Sequence, residues 1–304
     1  AALHAMVHAI QLKAGDQVIV PAISFVATAN CILYEGATPV FCDVEESTLN
    51  IDPEKVEVLI NDRTRAIIAV DFAGQLANYS ELRKICQKYG IWLLSDAAHS
   101  FGVVSSSDLA ADLTATSFHP VKNLTTAEGG MVLTKNPELA KRMRRFRNHG
   151  IDLEYAQRTG HSYDMVDLGY NYRLTDLQCA LGISQLKRLN QWIDRRQVLA
   201  KKYDQAFAGY NLLQKHSSAH HLYILKVPGG HRDEIYHQLR EQKIGVNVHY
   251  KPIYWHSYYQ KLGYPIGLCP VAERVYQKII TIPLFPTMTD TEQDRIIEVI
   301  QNLI

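Results

Sequence analysis

The sequence from Ala66 to Asp96, AIIAVDFAGQLANYSELRKICQKYGIWLLSD, reads as a strand, a helix and a second strand. Residues 66–70 and 91–94 are short apolar runs, and residues 79–89 between them repeat apolar side chains at helical spacing. The same alternation continues on both sides through the first half of the chain. The further strand-like runs are residues 17–20, 39–44, 114–118 and 131–134, and the further helix-like stretches are residues 24–34, 53–60 and 138–148. This pattern predicts an α/β fold with a mostly parallel sheet flanked by helices.

A long helical pattern follows at residues 175–207, with apolar residues at spacings of three and four and few breakers. A helix of about 30 residues is about 45 Å long, enough to bridge two domains. We therefore expect a large α/β domain at residues 1–185, an interdomain helix at 186–210 and a small C-terminal α+β domain at 211–304. Within the last, strands are predicted at residues 222–227 and 245–250, and helices at 233–242, 271–279 and 289–303.

The composition of the 304 residues excludes several classes of protein. The chain is 47% hydrophobic and 21% charged, which argues against disorder and coiled coil. Its 32 basic and 31 acidic residues leave a formal net charge of +1, too little to favour nucleic acid or an anionic membrane. No apolar run approaches the ~20 residues that span a bilayer, and no signal peptide pattern is present, so a cytoplasmic protein is predicted. The five scattered cysteines form no CxxC, so neither a disulfide framework nor a metal site is expected.

Two residues suggest chemistry. Asp96 ends an apolar strand, where open α/β sheets place ligands, although such an aspartate by itself is more often a turn or capping residue. Lys122 lies in a polar turn between two predicted strands, where partial enclosure favours the neutral amine used in Schiff-base chemistry, although a loop lysine by itself is usually solvated. Together with the Ser-x-His-x-x-Lys spacing of residues 117–122, they supply a pyridinium partner, a phosphate donor and a Schiff-base lysine. The combination predicts a pyridoxal phosphate site.

Five segments carry a resemblance to a known family. They are residues 21–30 (PAISFVATAN), 39–44 (PVFCDV), 95–99 (SDAAH), 117–130 (SFHPVKNLTTAEGG) and 169–176 (GYNYRLTD). In this order they resemble the DegT/StrS-type (DegT/DnrJ) sugar aminotransferases. Within the family, residues 248–254 (VHYKPIY), followed by Tyr258, Tyr259, Leu262 and Gly263, are most similar to the aminotransferases of pseudaminic acid biosynthesis.

The resemblance implies a fold and an activity. The fold is type I of the pyridoxal phosphate enzymes, with a mostly parallel seven-stranded sheet in the large domain and a small C-terminal α+β domain. The activity is transfer of the amino group of L-glutamate to C4 of a nucleotide-linked 4-keto-6-deoxy sugar, in particular a UDP-linked N-acetylated hexose. The active unit is a homodimer with shared sites.

The resemblance also implies roles for single residues. Lys122 would bind the cofactor covalently and then act as general acid and base, and Asp96 would hold the pyridine nitrogen protonated. The other implied contacts are Phe25 with the cofactor ring, His99 with its phenolic oxygen, Ser117 with its phosphate and Asn171 with the phosphate in the neighbouring subunit. His249 and Tyr250 are candidates for binding the sugar nucleotide, and Arg173 is a weaker candidate for the donor carboxylates.

The chain departs from the family pattern in two places. The family's Ser-Gly-Thr phosphate turn should stand directly before Ala1, and residues 1–10 already have a helical pattern with no capping residue ahead, so we expect further residues upstream. Residues 103–114 are fewer than the family's usual connection between the aspartate and the lysine. Two alternatives stay open: a family dehydratase, in which histidine replaces the lysine, and a noncatalytic sugar-nucleotide binding or regulatory protein on the same fold. The presence of Lys122 weighs against both.

Overall fold

The structure is a computed structural model that describes residues 1–103, 110–153, 158–211 and 218–304. Part of the short connection at residues 103–114 therefore lies outside the described residues. The elements in chain order are α1 (Ala2–Ala9), β1 (Gln17–Pro21), α2 (Ala27–Tyr34), β2 (Thr38–Cys42), α3 (Pro53–Leu59), β3 (Thr64–Val70), α4 (Tyr79–Tyr89), β4 (Trp92–Asp96), β5 (Leu113–Ser117), β6 (Gly130–Leu133) and α5 (Pro137–Phe146), then α6 (Asp176–Leu186), α7 (Leu189–Ala206), β7 (Tyr223–Lys226), α8 (Arg232–Glu241), α9 (Ser257–Lys261), α10 (Pro270–Tyr276), β8 (Ile279–Ile282) and α11 (Asp290–Gln301).

The main sheet has the strand order β2-β1-β3-β4-β5-β6. All neighbouring strands pair in parallel except β5 and β6, which form an antiparallel pair. The α/β prediction with a mostly parallel sheet is confirmed. The implied seventh strand is wrong for the described residues, because the six apolar runs of the sequence each form one strand and no further run is left to form another.

Local signals explain where the helices begin and end. Asn78 caps α4 by accepting a hydrogen bond from the amide of Glu81, and Gly90 ends that helix in a left-handed conformation with φ 66°. Pro137 occupies the first turn of α5, whose cap is Asn136. Thr175 begins α6 with a capping box. These ends were predicted closely because the capping chemistry is local.

The helical pattern of residues 175–207 forms two helices instead of one. Leu189 and Ile193 of α7 pack against Phe118 and Leu124 of the β5–β6 connection, whereas α6 buries none of its residues. A turn at residues 187–188 separates the exposed α6 from α7, which packs into the buried cluster.

The second sheet pairs β7 with β8 in antiparallel fashion. The strand predicted at residues 245–250 is absent from the described structure, where Asn247 makes only an isolated bridge to Thr281. The helix predicted at 271–279 ends at Tyr276, and the following residues enter β8. All four residues of β8 are buried. The strand that pairs with β7 is therefore the segment 279–282, which is more apolar than the predicted segment 245–250.

The C-terminal third is attached to the main sheet. Tyr254 and Tyr259 belong to the same apolar cluster as Phe41 of β2, with ring centroids 5.4 and 5.5 Å from that phenylalanine. The carboxylate of Asp43, one residue after β2, accepts hydrogen bonds of 2.9 and 2.8 Å from the amides of Val271 and Ala272 in the first turn of α10. A separate cluster joins β7 and β8 to α7, α8 and α11. None of the helices in the described ranges has the length and apolarity needed to span a membrane.

Candidate active site

The candidate site lies where β3, β4 and β5 end. Asp71 follows β3, Asp96 is the last residue of β4 and Ser117 is the last residue of β5. Parallel strands present their carboxyl ends on one edge of a sheet, and open α/β sheets bind ligands along that edge. The sheet order also reverses at β1, which lies between β2 and β3.

The Asp96 carboxylate is buried and held by two donors. Thr28 in the first turn of α2 donates to Asp96 Oδ2 at 2.7 Å, and the amide of Ala98 donates to Oδ1 at 3.2 Å. Since the Thr28 hydroxyl hydrogen is used in this way, Ser24 donates in turn to Thr28, at 2.8 Å. Burial raises the pKa of Asp96 above its ordinary value, and these donors and the charge of Lys122 only partly oppose that.

Lys122 is partly buried on the connection between β5 and β6. Its amide donates to the carbonyl of His119 at 2.9 Å, and the two ends of the connection are tied where the amide of Phe118 donates to the carbonyl of Gly129 at 2.9 Å. Burial lowers the pKa of Lys122 to about 8, and the attraction of Asp96 offsets part of that fall. The side chain is therefore partly a neutral amine near neutral pH.

Three imidazoles surround this pair. His99 is buried, with its ring centroid 4.4 Å from that of His221. His249 lies nearby, and its Nδ1 is 2.9 Å from the hydroxyl of Thr281. Burial and the charge of Lys122 lower the pKa of His249 to about 4, and burial also lowers the pKa of His99 and of His221 well below the ordinary value. The wall of the site is therefore neutral imidazole.

Two aromatic residues complete the group. Tyr250 places its hydroxyl 3.3 Å from Nε2 of His99. Phe25 is 58% exposed, and its ring centroid is 6.2 Å from that of Tyr250. An exposed ring beside the sheet edge is free to contact a planar ligand, which plain core packing does not allow.

The contacts of the other predicted residues within the described ranges are with residues outside this group. Ser117 is partly exposed, and its hydroxyl accepts a long hydrogen bond of 3.4 Å from the amide of His119. Asn171 is exposed on a segment that bridges to Asn148, and Arg173 donates to the side chain of the same Asn148 at 2.6 Å. Within the described ranges, Asn171 therefore contacts the segment around Asn148 and does not contact Lys122.

Sequence reasoning missed His221 and the turn at Phe72–Gly74. The backbone of Ala73 contacts both His99 and His221: its amide donates to His99 Nδ1 at 3.2 Å, and its carbonyl accepts from the amide of His221 at 2.9 Å. The sequence signals were weak, a pair of histidines before a strand and a single glycine after an aspartate.

Among the described residues, no cluster of three or more histidine, cysteine or carboxylate side chains is arranged to bind a metal ion.

Comparisons with known proteins agree in outline. The profile of the DegT/DnrJ/EryC1/StrS aminotransferase family matches residues 1–301. SpsC of Bacillus subtilis, a spore coat polysaccharide biosynthesis protein, is 37% identical over all of this chain and 83% of its own length. The sugar aminotransferase Spr1654 of Streptococcus pneumoniae, in its PMP form, superposes with a TM-score of 0.93 at 32% identity, covering 99% of this chain and 85% of that one, and it is also known in a PLP form. Helicobacter pylori PseC, an aminotransferase of pseudaminic acid biosynthesis, superposes with a TM-score of 0.90 at 33% identity, covering 99% and 84%.

Proposed function

The chain belongs to the DegT/DnrJ/EryC1/StrS aminotransferase family and its cofactor is pyridoxal phosphate, and from this premise we propose that it transfers the amino group of L-glutamate to C4 of a nucleotide-linked 4-keto-6-deoxy sugar. A UDP-linked N-acetylated hexose is the acceptor we favour, because residues 248–254 resemble the pseudaminic acid enzymes and PseC is among the structural neighbours. The similarity to SpsC supports a role in making cell-surface polysaccharide, and we propose that the enzyme acts in the cytoplasm.

The residues present fit the cofactor. The buried Asp96 carboxylate accepts hydrogen bonds from two neutral donors, Thr28 and Ala98, and burial raises its pKa despite these donors and the charge of Lys122. A protonated pyridine nitrogen would supply a positively charged partner. Lys122, with a lowered pKa, supplies the amine that the cofactor aldehyde requires. A buried carboxylate and an activated lysine at one sheet edge are the observation that carries the proposal.

Lys122 has two tasks in the proposed reaction. When bound, pyridoxal phosphate supplies an aldehyde for attachment of amines and a ring that withdraws electrons. Lys122 Nζ would hold the cofactor through its aldehyde, and as a free amine it would accept the proton from Cα of the donor and return it on the cofactor side. Its pKa of about 8 suits both directions of proton transfer near neutral pH.

Asp96 holds positive charge at the ring nitrogen. A carboxylate that is buried, and held in place by Thr28 and Ala98, interacts with a neighbouring N–H more strongly than it does in water. The hydrogen bonds between Ser24 and Thr28 and from Thr28 to Asp96 fix Oδ2 of the carboxylate. Asp96 would therefore stabilise positive charge on the ring without having to reorient.

The remaining proposed contacts follow the arrangement of side chains. We assign Phe25 to the ring face, His99 to the phenolic oxygen, Ser117 to the phosphate, and His249 with Tyr250 to the sugar nucleotide. The support is that His99, Tyr250 and Phe25 are in mutual proximity and that Lys122 influences the pKa of both His99 and His249.

We also propose a homodimer in which Asn171 binds the cofactor phosphate of the partner subunit. Helix α6 exposes a set of large apolar side chains, which a second copy would cover: Leu177, Leu181, Ile183 and Leu186. The segment of Asn171 directly precedes this helix. We further propose that residues 1–185, 186–210 and 211–304 act as cofactor-binding domain, interdomain helix and small C-terminal domain.

The experiment traps Lys122. Purified protein with pyridoxal phosphate is treated with borohydride, digested, and analysed by mass spectrometry for a phosphopyridoxyl group. We expect the label on Lys122, no label and no turnover in Lys122→Ala with its fold intact, and normal labelling in Lys226→Ala, a partly buried lysine bound to Glu46. Near wild-type turnover by Lys122→Ala contradicts the proposal.

The substrate is tested separately. Several UDP- and dTDP-linked 4-keto sugars are incubated with glutamate and the enzyme, and the formation of amino sugar and 2-oxoglutarate is followed. Amination of a UDP-linked 4-keto-6-deoxy-N-acetylhexosamine supports the proposed acceptor. Loss of water from the sugar, or binding with no turnover of any sugar, points instead to a dehydratase or a noncatalytic binding protein.

A further inference from the structure

The turn after β3 contacts His99, one of the three imidazoles of the candidate site. Asp71 precedes the short 3-10 turn Phe72–Gly74, in which Ala73 has a left-handed backbone with φ 57° and ψ 7°. The Ala73 amide points at Nδ1 of His99, 3.2 Å away. A backbone amide only donates, so Nδ1 must accept and cannot carry a proton.

The proton of His99 is therefore on Nε2. That atom is 3.3 Å from the Tyr250 hydroxyl, which must accept from it and keeps its own hydrogen for another partner. The hydrogen bonds thus run in one direction, from the Ala73 amide through His99 to Tyr250 and the site. The groups with charge or titratable protons around His99 are Lys122, His249, His221 and Tyr250.

Buried side chains fix the turn itself. Asn50 Oδ1 accepts from the amide of Phe72 at 2.9 Å, and its Nδ2 donates to the carbonyls of Gln75 and Leu76 at 3.2 and 3.0 Å. The Asp71 carboxylate accepts from Ser100 Oγ at 2.5 Å, from the amide of Ala77 at 3.0 Å and from the Tyr79 hydroxyl at 2.9 Å. Both side chains are almost completely buried. Asn50 in particular holds the turn on both sides of Ala73.

We propose that Asn50 and the Ala73 amide are positioning groups that hold His99 in the single tautomer with the proton on Nε2, so that His99 donates to Tyr250 and the Tyr250 hydroxyl presents its hydrogen as a donor to the ligand. The meaning of this donor for catalysis rests on the proposed function. The tautomer itself does not, because it is a property of the protein before any ligand binds. An acceptor oxygen on the ligand is favoured at this wall, and a donor is rejected.

The test is nitrogen NMR of the cofactor-free protein labelled with 15N-histidine, with the His99 signals assigned by their loss in His99→Gln. We expect one set of His99 signals, with the proton on Nε2, in the wild type. The decisive variant is Tyr250→Phe, which removes the other partner of the ring but leaves Ala73 in place. We expect the same tautomer there. A change to the Nδ1 tautomer, or a mixture, overturns the proposal because Tyr250 would then set the proton.

The role of Asn50 is tested with a matched control. Asn50→Ser shortens the side chain, and Gln293→Ala removes an equally buried side chain whose Nε2 donates to the Leu199 carbonyl at 2.7 Å in a different core. We expect a second set of His99 signals in Asn50→Ser and none in Gln293→Ala. If Asn50→Ser does not fold, Asn50→Asp is used, which keeps the acceptor for Phe72 but turns an oxygen toward the carbonyls of Gln75 and Leu76. A single Nε2 tautomer in the folded Asn50 variant shows that Asn50 has no positioning role. The spectra are recorded without cofactor or sugar, so a failure of the proposed sugar turnover would not change their outcome.

Discussion

At the residue scale, the proposed attachment of the cofactor to Lys122 makes the rate of cofactor capture depend on pH. Because burial lowers its pKa to about 8, the neutral fraction rises steeply around that pH. We predict that the rate of pyridoxal phosphate capture by the cofactor-free protein increases as pH rises through about 8. Asp96→Asn removes a charge that raises the pKa of Lys122, so the rise should move to lower pH. Stopped-flow absorbance at a series of pH values measures the capture rate of the wild type and of Asp96→Asn. A capture rate that rises only near pH 10.5, the ordinary pKa of a lysine, contradicts this account.

Asp96 should matter more for the reaction than for attachment. In Asp96→Asn the amide keeps the shape but not the negative charge, so the pyridine nitrogen loses its stabilising partner. We predict that cofactor attachment stays detectable while the half-reaction with glutamate slows by roughly 10² or more, the usual scale for one electrostatic or acid–base group. Single-turnover absorbance measures it.

The matched control for that substitution is Asp112→Asn. Asp112 accepts from the amide of Leu93 and from Arg83, near the start of β4 and β5, at the opposite edge of the same sheet. We expect this variant to lose some stability but to react with glutamate at a normal rate. If the reaction of Asp96→Asn with glutamate is slowed only a few-fold, so that its rate is close to that of the control, Asp96 has a capping role instead.

The sequence predicted the residues whose chemistry is in the side chain. Asp96 and Lys122 were found because an acid after an apolar strand and a lysine in a tight turn are local signals. The role of Ala73 was not accessible in the same way, because an alanine has no functional side chain and its contribution is an amide placed by a left-handed turn. His221 was missed because its burial against His99 depends on contacts 122 residues apart in sequence, from 221 − 99.

At the element scale, helix α1 is joined to its surroundings by an ionic cluster. His8 contacts Glu35, at the end of α2, at 3.3 Å and Asp167 at 3.5 Å, and His4 contacts Glu35 at 3.1 Å. Burial by itself would raise the pKa of Glu35, but the hydrogen bonds from both histidines outweigh it and hold that pKa at about 2. Burial opposes the charge of His8 as well, yet Glu35 and Asp167 raise its pKa. Glu35 is therefore ionised at neutral pH, and the cluster favours the protonated form of His8.

This cluster predicts a pH window for stability. The lowered pKa of Glu35 contributes stability above 4.5 that is lost as pH falls toward about 2, and the raised pKa of His8 contributes stability below 6.5 that is lost as pH rises through its folded value. We predict that Glu35→Gln lowers the free energy of unfolding by on the order of 2 kcal/mol between pH 4.5 and pH 6.5, and by less at lower or higher pH. Thermal or urea unfolding at a series of pH values measures the difference.

Glu57→Gln is the control for this prediction, since Glu57 forms an exposed pair with Lys88. Exposed pairs contribute little, so its effect should be small at every pH. An equal and pH-independent loss in the two variants contradicts the assignment of stability to the Glu35 cluster.

The elements of the main sheet were predictable, and those around the second sheet were less so. All six strands of the main sheet overlap the predicted apolar runs. The five strands β1 to β5 pair in parallel and are mostly buried, and such strands are apolar along most of their length, whereas β6 is antiparallel and has no fully buried residue. The helix predicted at residues 271–279 includes the first residue of β8, and no strand is predicted at residues 280–282, because a short apolar run has no period of its own. The break between α6 and α7 coincides with a change from an exposed helix to one that packs on Phe118 and Leu124, which no local residue signals.

At the scale of the whole molecule, the proposed homodimer makes each site composite. Coexpression of Lys122→Ala subunits with Asn171→Asp subunits tests it, since the second change places a negative charge beside the cofactor phosphate. Each parent homodimer should be nearly inactive at limiting cofactor. With random pairing about half of the dimers are mixed, and one site in each keeps both residues, so up to roughly a quarter of wild-type activity should return.

The readout needs proof that mixed dimers form. Two different affinity tags, one on each type of subunit, allow the mixed species to be isolated and assayed. If isolated mixed dimers are inactive, Asn171 serves its own subunit or has no contact with the cofactor, and the shared-site proposal is discarded.

The attachment of the C-terminal third to the main sheet limits how a substrate can enter. Tyr254 and Tyr259 pack on Phe41, and Asp43 holds the first turn of α10, so swinging this part of the chain outward would expose the central apolar cluster to water. His249 and Tyr250, just before the packed tyrosines, cannot then act as a hinged lid. We therefore expect cofactor and glutamate to enter without an outward movement of this part of the chain, and the radius of gyration measured by small-angle X-ray scattering should stay the same when the enzyme is saturated with both.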